Sequence, residues 1–224
     1  MKYPAPLLMA SGLTHGFSGR VLFRQIGLRL DAGEITILRG DNGTGKTTLL
    51  RMLAGLMTPL AGQITIDGVG LRDDRVRAAG RMVFIGHRDG LAAELSAREA
   101  IGLWAQSRGL TPDETALKAA FESLGLAASM DQPVRVLSAG QRRRCGMVRL
   151  ALIDALGANQ AIPLWLLDEP TTAMDTTAVA AFAGLLRRHA ERGGGILMTS
   201  HLELPLSEAR QVILGDLEGT EVAA

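Results

Sequence analysis

The chain has 224 residues, 47% of them hydrophobic, which is enough for one large domain or for one domain carrying an inserted lobe. Its 24 Lys and Arg against 23 Asp and Glu leave a formal net charge of +1, well short of what a dedicated nucleic-acid binder carries. The single cysteine, Cys145, excludes an internal disulfide framework, and no apolar run approaches the roughly 20 residues that a membrane helix needs.

Residues 7–30 read as two or three short strands, with Phe17 in a Gly/Ser-rich turn between them. A buried strand over 34–38 leads into a glycine-rich loop and a helix ending near Met57, and residues 58–62 make a turn. A strand and turn follow over 63–68, then a charged, exposed stretch at 72–77 and another strand at 81–86. After His87 the pattern turns helical. Ser96 with Glu99 forms a capping box, and Pro112 is placed as the first residue of a second helix that Gly125 stops. Roughly residues 88–135 therefore form a helical insertion in an α/β chain. Ser138 with Gln141 opens a third helix, running to about Leu156. The continuous apolar run 162–167 suits a parallel strand buried on both faces. A helix over 176–192 stopped by glycines, a strand at 196–200, a short helix at 205–209 and a strand at 211–214 complete the reading.

The stretch Gly40-Asp41-Asn42-Gly43-Thr44-Gly45-Lys46-Thr47 fits the phosphate-loop pattern G-x-x-x-x-G-K-[ST] at every specified position. Gly40, Gly43 and Gly45 let backbone N–H groups close on oxygen atoms, and the helix start adds roughly half a positive charge. Lys46 is placed to reach β- and γ-phosphates, and the Thr47 hydroxyl to ligate Mg²⁺. A glycine turn that binds nothing is the alternative, and the strand before the loop and the helix after it weigh against that. Asp168 and Glu169 directly follow the apolar run, where one carboxylate suits a divalent cation and the next suits polarising a water. An exposed turn capped by acids is the competing reading. Ser138-Ala139-Gly140-Gln141 puts a hydroxyl and a glycine at a helix start, a second anion site or an ordinary cap.

Taken in this order, the motifs resemble the nucleotide-binding subunits of ATP-binding cassette (ABC) transporters over nearly the whole chain. Residues 40–47 match the family's Walker A motif, with Asp41, Asn42, Thr44 and Thr48 among the nucleotide contacts that the match implies. Leu137-Ser138-Ala139-Gly140-Gln141 is similar to LSGGQ, with Ala139 for the first glycine. Residues 164–169 look like Walker B, residues 172–175 like the D-loop, and His201 like the switch histidine. Phe17 falls where the family stacks an aromatic ring on adenine. The resemblance implies an α/β P-loop NTPase fold with a mixed or parallel core sheet, an N-terminal antiparallel β subdomain and a helical subdomain at about 88–150, all in one nucleotide-binding domain over 1–224. It also implies ATP and Mg²⁺ as ligands. Thr47 and Asp168 would hold the metal, Glu169 would polarise water and His201 would hold the γ-phosphate. Two copies would face head to tail, each ATP lying between Walker A of one and residues 138–141 of the other, with Asp175 reaching across.

His87 stands where most members carry the Q-loop glutamine. A neutral imidazole can accept from water or ligate a metal, and a merely structural histidine is the alternative. Together with residues 85–87, the compact helical lobe, the run 137–144 and the run 167–175, His87 makes the chain similar to the haem-exporter ATP-binding subunits of cytochrome c biogenesis. That implies integral membrane partner subunits, peripheral attachment at the cytoplasmic face of the bacterial inner membrane, and haem handled only through the complex. Cys145 and the four His residues form no local haem motif, and Cys145 reads as a packing residue. Residues 142–144 read as a solvated face near the nucleotide, not a nucleic-acid patch. Trp104 reads as a core or lobe contact, or as part of a docking surface for the membrane subunits. The competing functions are an ATPase of a lipid, drug or amino-acid transporter, a non-transport ABC ATPase, and a small-molecule kinase on the same phosphate loop.

Overall fold

The computed structural model describes residues 5–17 and 20–220; residues 1–4 and 221–224, and the Ser18-Gly19 part of the turn expected around Phe17, lie outside it. Two long antiparallel strands, β1 (Leu8–Phe17) and β2 (Arg20–Leu30), replace the two or three short ones expected. Their register shifts three times, between Ala10 and Leu13, between Leu13 and His15, and between His15 and Gly16. Each shift breaks the period-2 alternation, so one bulged strand reads as several pieces. Phe17 is the last residue of β1.

The chain then forms β3 (Ile35–Arg39) and α1 (Lys46–Leu53). The helix ends four residues before Met57 because Gly55 takes φ +72°, Gly55 N–H donates to Met52 and Leu56 N–H to Arg51, a Schellman ending. β4 (Ala61–Ile66) and β5 (Val69–Gly70) return to the first sheet, whose order is β2-β1-β4-β5. A short α2 (Arg75–Gly80) and β6 (Met82–Ile85) follow.

Three helices come next: α3 (Ala97–Ser107), α4 (Glu114–Ser123) and α5 (Ala139–Ala155). Both expected capping boxes form, Ser96 with Glu99 and Ser138 with Gln141. Pro112, in contrast, lies outside its helix. The Asp113 carboxylate accepts from Ala116 N–H at 2.7 Å and is the cap, so the first helical residue is Glu114. α5 is buried on most of its length, from Cys145 to Ile153, and serves as the core of this lobe.

The chain closes with β7 (Leu164–Leu167), α6 (Thr176–Glu191), β8 (Gly195–Thr199) and β9 (Arg210–Ile213). The expected helix at 205–209 is absent, and the segment runs as turns. Arg187 of α6 donates to the Pro205 carbonyl and to Glu208 Oε1, which pins the segment on α6. The second sheet, ordered β6-β7-β8-β3-β9, is parallel at every pairing.

β7 shows why the sheet sits at the centre. Leu164 and Leu166 face one core cluster with Leu38, Leu49 and Leu53; Trp165 and Leu167 face the other, with α5 and α6. Both faces are apolar, as the uninterrupted run foretold. The Trp165 indole stacks on His189 of α6, with centroids 3.6 Å apart and planes 9° apart. His189 Nε2 meets the Pro163 carbonyl at 3.0 Å, so it carries the hydrogen, and Nδ1 accepts from Asn159 Nδ2 at 2.9 Å. Burial pulls the His189 pKa down to about 4, from an ordinary 6.5.

The unfolded chain therefore binds a proton on this residue at a higher pH than the folded chain does. Its contribution is fully present above about pH 6.5 and is lost as pH falls towards 4, by on the order of 3 kcal/mol. Urea titrations across this range are expected to show stability falling with acidification, with a shallower slope in His189→Phe despite that variant's lower overall stability. An equally steep slope in the variant assigns the acid sensitivity elsewhere.

Candidate functional site

The C-terminal ends of β3, β7 and β8 lie side by side at one edge of the parallel sheet, the edge where open α/β sheets take ligands. β3 delivers the loop 40–45. Gly45 caps α1 at φ +106°, and a Cβ there would meet Leu22 at 2.8 Å, so only glycine fits. β7 delivers Asp168 and Glu169, and β8 delivers Thr199 and then His201. Between them is a cavity of about 340 Å³ lined by Phe17, Leu22, Asn42, Gly43, Gly45, Lys46, Thr47, Thr48, Asp168, Glu169 and His201. A groove of about 620 Å³ near Glu34, Arg187 and Glu208 is larger, but it has no phosphate loop, so size alone does not pick the site.

Within the cavity the Lys46 ammonium donates to the carbonyls of Gly40 at 2.6 Å and Asp41 at 2.8 Å, so its tip stays over the loop. Thr44 Oγ1 donates to the Asp41 carbonyl at 2.9 Å and braces the same turn. Thr47 Oγ1 donates to Asp168 Oδ2 at 2.9 Å, and Thr199 Oγ1 donates to Asp168 Oδ1 at 2.9 Å. Asp168 is only 2% exposed, and among the described residues no Lys, Arg or His pairs with its charge. A buried carboxylate held by hydroxyls alone suits a cation. The hydroxyl of Thr47 beside it makes a pair of hard oxygen donors of the kind Mg²⁺ takes, with the remaining ligands left to phosphate and water. Among the described residues no cluster of three or more His, Cys, Asp or Glu side chains offers an alternative metal site.

Glu169 sits at φ +49°, a strained backbone position for a non-glycine residue. Its N–H donates to Thr199 Oγ1 at 2.9 Å, and its Oε2 accepts from His201 N–H at 3.2 Å. Oε1 is buried and lies 3.4 Å from His201 Nε2, outside hydrogen-bond geometry, which leaves this oxygen without a partner beside the cavity. Phe17 is half exposed at the rim, with its ring centroid 4.8 Å from that of His15 in a T-shaped contact. Arg39 holds the His201 loop by donating to the carbonyls of Ser200 and, at 3.2 Å, Leu202.

The other residues singled out in the sequence lie elsewhere. Gly40 begins the loop, and Asp41 and Thr44 line a second hollow on its far side with Glu218. His87 is exposed at the end of β6 and does not line the cavity. Ser138 and Ala139 are exposed at the start of α5, and Gln141 is occupied with Ser138 N–H at 2.9 Å and Ser129 Oγ at 3.2 Å. A Cβ on Gly140 would come within 2.6 Å of the Ala173 carbonyl, which ties this helix start to the turn before Asp175. Asp175 is exposed and caps α6 through Ala178 N–H at 2.7 Å. A second, open surface thus carries residues 138–141 and 175, separate from the cavity. Cys145 is buried, which raises its thiol pKa to about 12 and keeps it unreactive.

A phosphate loop, a paired hydroxyl and carboxylate for a divalent cation, and a free carboxylate oxygen beside a histidine make a nucleotide-hydrolysing centre. The ABC transporter family pattern matches residues 23–172, and the chain belongs to this family of ATP-binding, ATP-hydrolysing subunits. Such subunits pair with one another and with membrane partner subunits. The chain is 40% identical to the cytochrome c biogenesis ATP-binding export protein CcmA of Pseudomonas putida KT2440, over 93% of this chain and 96% of that one. It is 41% identical to the protein of the same description from Rhodopseudomonas palustris BisB5, over 93% and 98%. Among solved structures it is similar to an ATP-binding subunit of an ABC transporter, with TM-score 0.82 and 25% identity over 95% of this chain and 87% of that one.

Three residues in contact with this centre were not singled out from the sequence as part of it. Thr199 is a hydroxyl at the C-terminal end of a parallel strand, a position that could have flagged it. Arg39 ends the strand before the loop. Arg143, expected on a solvated face, is 4% exposed. It falls four and seven residues before Met147 and Leu150, both buried, so the apolar stripe of α5 was the available signal.

Thr199→Val leaves the Glu169 N–H without its hydroxyl partner and leaves Asp168 Oδ1 with only the longer 3.1 Å contact from Thr47. It is expected to cost about 1–3 kcal/mol of stability. Thermal denaturation against a surface control such as Thr115→Val checks this, and equal melting temperatures would contradict the described contacts.

Proposed function

We propose that the chain is the ATPase subunit of a haem exporter for cytochrome c biogenesis. Integral membrane subunits hold it at the cytoplasmic face of the bacterial inner membrane, and haem is handled through the complex. The reading is supported by the similarity to export proteins of cytochrome c biogenesis and by the chemistry of the cavity. Among the described residues no helix is long and apolar enough to cross a membrane.

The observation that carries the hydrolytic reading is the free, buried Oε1 of Glu169 beside His201. The loop N–H groups of residues 40–45 and the Lys46 ammonium bind the phosphates, with Asn42, Gly43, Thr44 and Thr48 shaping the cradle. Phe17 stacks on the adenine. Thr47 and Asp168 hold Mg²⁺, which when bound neutralises charge on the phosphate oxygens. Glu169 Oε1 accepts a proton from the attacking water, and His201 holds the γ-phosphate in place. Ser138, Ala139, Gly140, Gln141 and Asp175 act on the nucleotide of a second copy across the interface. His87 takes the place of the glutamine that links hydrolysis to the membrane subunits.

Glu169→Gln is expected to lower kcat by about 10²–10⁴-fold, with ATP affinity nearly unchanged. Lys46→Ala is expected to lose ATP binding, because its ammonium is held over the loop by the Gly40 and Asp41 carbonyls. Affinity capture from native membranes should recover cytochrome c biogenesis membrane subunits, and the Lys46→Ala strain should fail to mature c-type cytochromes. Recovery of an unrelated permease with normal cytochromes would overturn the haem reading and leave the ATPase reading standing.

A further inference from the structure

Arg143 enters α5 one turn after the helix start and points inward, with its side chain 5% exposed. Its guanidinium donates to the carbonyls of Asp168 at 2.8 Å, Glu169 at 2.7 Å and Pro170 at 3.1 Å. The same group donates to the Gly86 carbonyl at 2.9 Å and to Asp89 Oδ1 at 2.8 Å. All five N–H donors of an arginine are therefore used, on five backbone carbonyls, the His87 carbonyl sharing Nη1 at 3.4 Å, and on the single carboxylate that balances the charge. Those carbonyls belong to two segments only: the turn after β7 that presents Glu169, and the stretch after β6 that carries His87 and Asp89. Nothing on Arg143 lines the nucleotide cavity.

We propose that Arg143 is a positioning residue for ATP hydrolysis, clamping the Glu169 turn to the His87–Asp89 segment so that the two move as one. This rests on the ATPase reading above. The backbone of Glu169 is strained at φ +49°, and such a position persists only where its surroundings over-determine it. Arg143 supplies that determination from the carbonyl side, while Thr199 supplies it from the N–H side. Arg149 secures the far end of the clamp by donating to the Asp89 carbonyl, and Asp89 is thereby held from two sides. A shift of the segment after β6 is then passed to the carboxylate that activates water, through one rigid planar group.

A lysine cannot reproduce the clamp, because its three donors radiate from a point and reach fewer carbonyls. Steady-state ATPase assays and nucleotide-binding titrations on the full chain, with its membrane subunits where these are needed for turnover, test the idea. Arg143→Met is expected to lower kcat about tenfold or more while the KM for ATP stays within about threefold, since the phosphate cradle is untouched. Arg143→Lys is expected to recover part of the loss, and Asp89→Asn to fall between Lys and wild type. If Arg143→Met does not fold, Arg143→Lys and Asp89→Asn carry the decision. A fall in melting temperature with unchanged kcat per folded molecule, or a rise in KM with unchanged kcat, would overturn the proposal. Absence of ATP turnover in the wild type itself strikes the ATPase reading instead.

Discussion

A carboxylate buried at the end of an all-apolar strand sets the terms for everything around it. Asp168 is 2% exposed, and its oxygens rest on two hydroxyls, Thr47 from the phosphate-loop helix and Thr199 from the neighbouring strand. An uncompensated charge in such a place is costly, so its surroundings must offer hydrogen bonds and room for a cation. Meeting that demand fixes three chain segments relative to one another. The loop before α1, the turn after β7 and the end of β8 cannot drift apart without breaking the cluster. The next residue, Glu169, inherits this rigidity and keeps one buried carboxylate oxygen without a partner beside the cavity.

The parallel sheet is what makes the arrangement possible. Its strands are apolar on both faces and hydrogen-bonded on both edges through β7, β8 and β3, so their C-terminal ends are set by the whole core. Function then sits in the loops leaving those ends. The antiparallel sheet contributes one rim residue, Phe17, and the Leu22 side chain that packs on Gly45. The helical lobe contributes no atom to the cavity, yet it reaches the turn that carries Glu169 through Arg143.

The phosphate loop and the two carboxylates after the apolar run were legible in the sequence because their chemistry dictates residue type at fixed spacing, whereas His201 was picked out only through the family resemblance. The buried strands were legible because a parallel strand reads as an uninterrupted apolar run. β1 was harder, since bulges erase its alternation. The second helix of the lobe was placed on Pro112 because proline favours a first helical position, but the carboxylate of Asp113 is the stronger cap. Arg143 was misread because charge runs usually face solvent, and nothing in a local window announces that carbonyls from two distant loops converge on it. Contacts of that kind, 25 to 57 residues apart in sequence, are products of the tertiary fold.

One surface carries the cavity, and another carries the exposed start of α5 with Ser138 and Gly140. In the proposed function the start of α5 acts on the nucleotide of a second copy, so that two chains close around each nucleotide. Light scattering on Glu169→Gln, which should bind ATP without consuming it, tests this most directly. With saturating MgATP the mass should double, and Ser138→Arg should abolish the doubling. A mass that stays monomeric in MgATP, with nucleotide bound, would contradict the central claim.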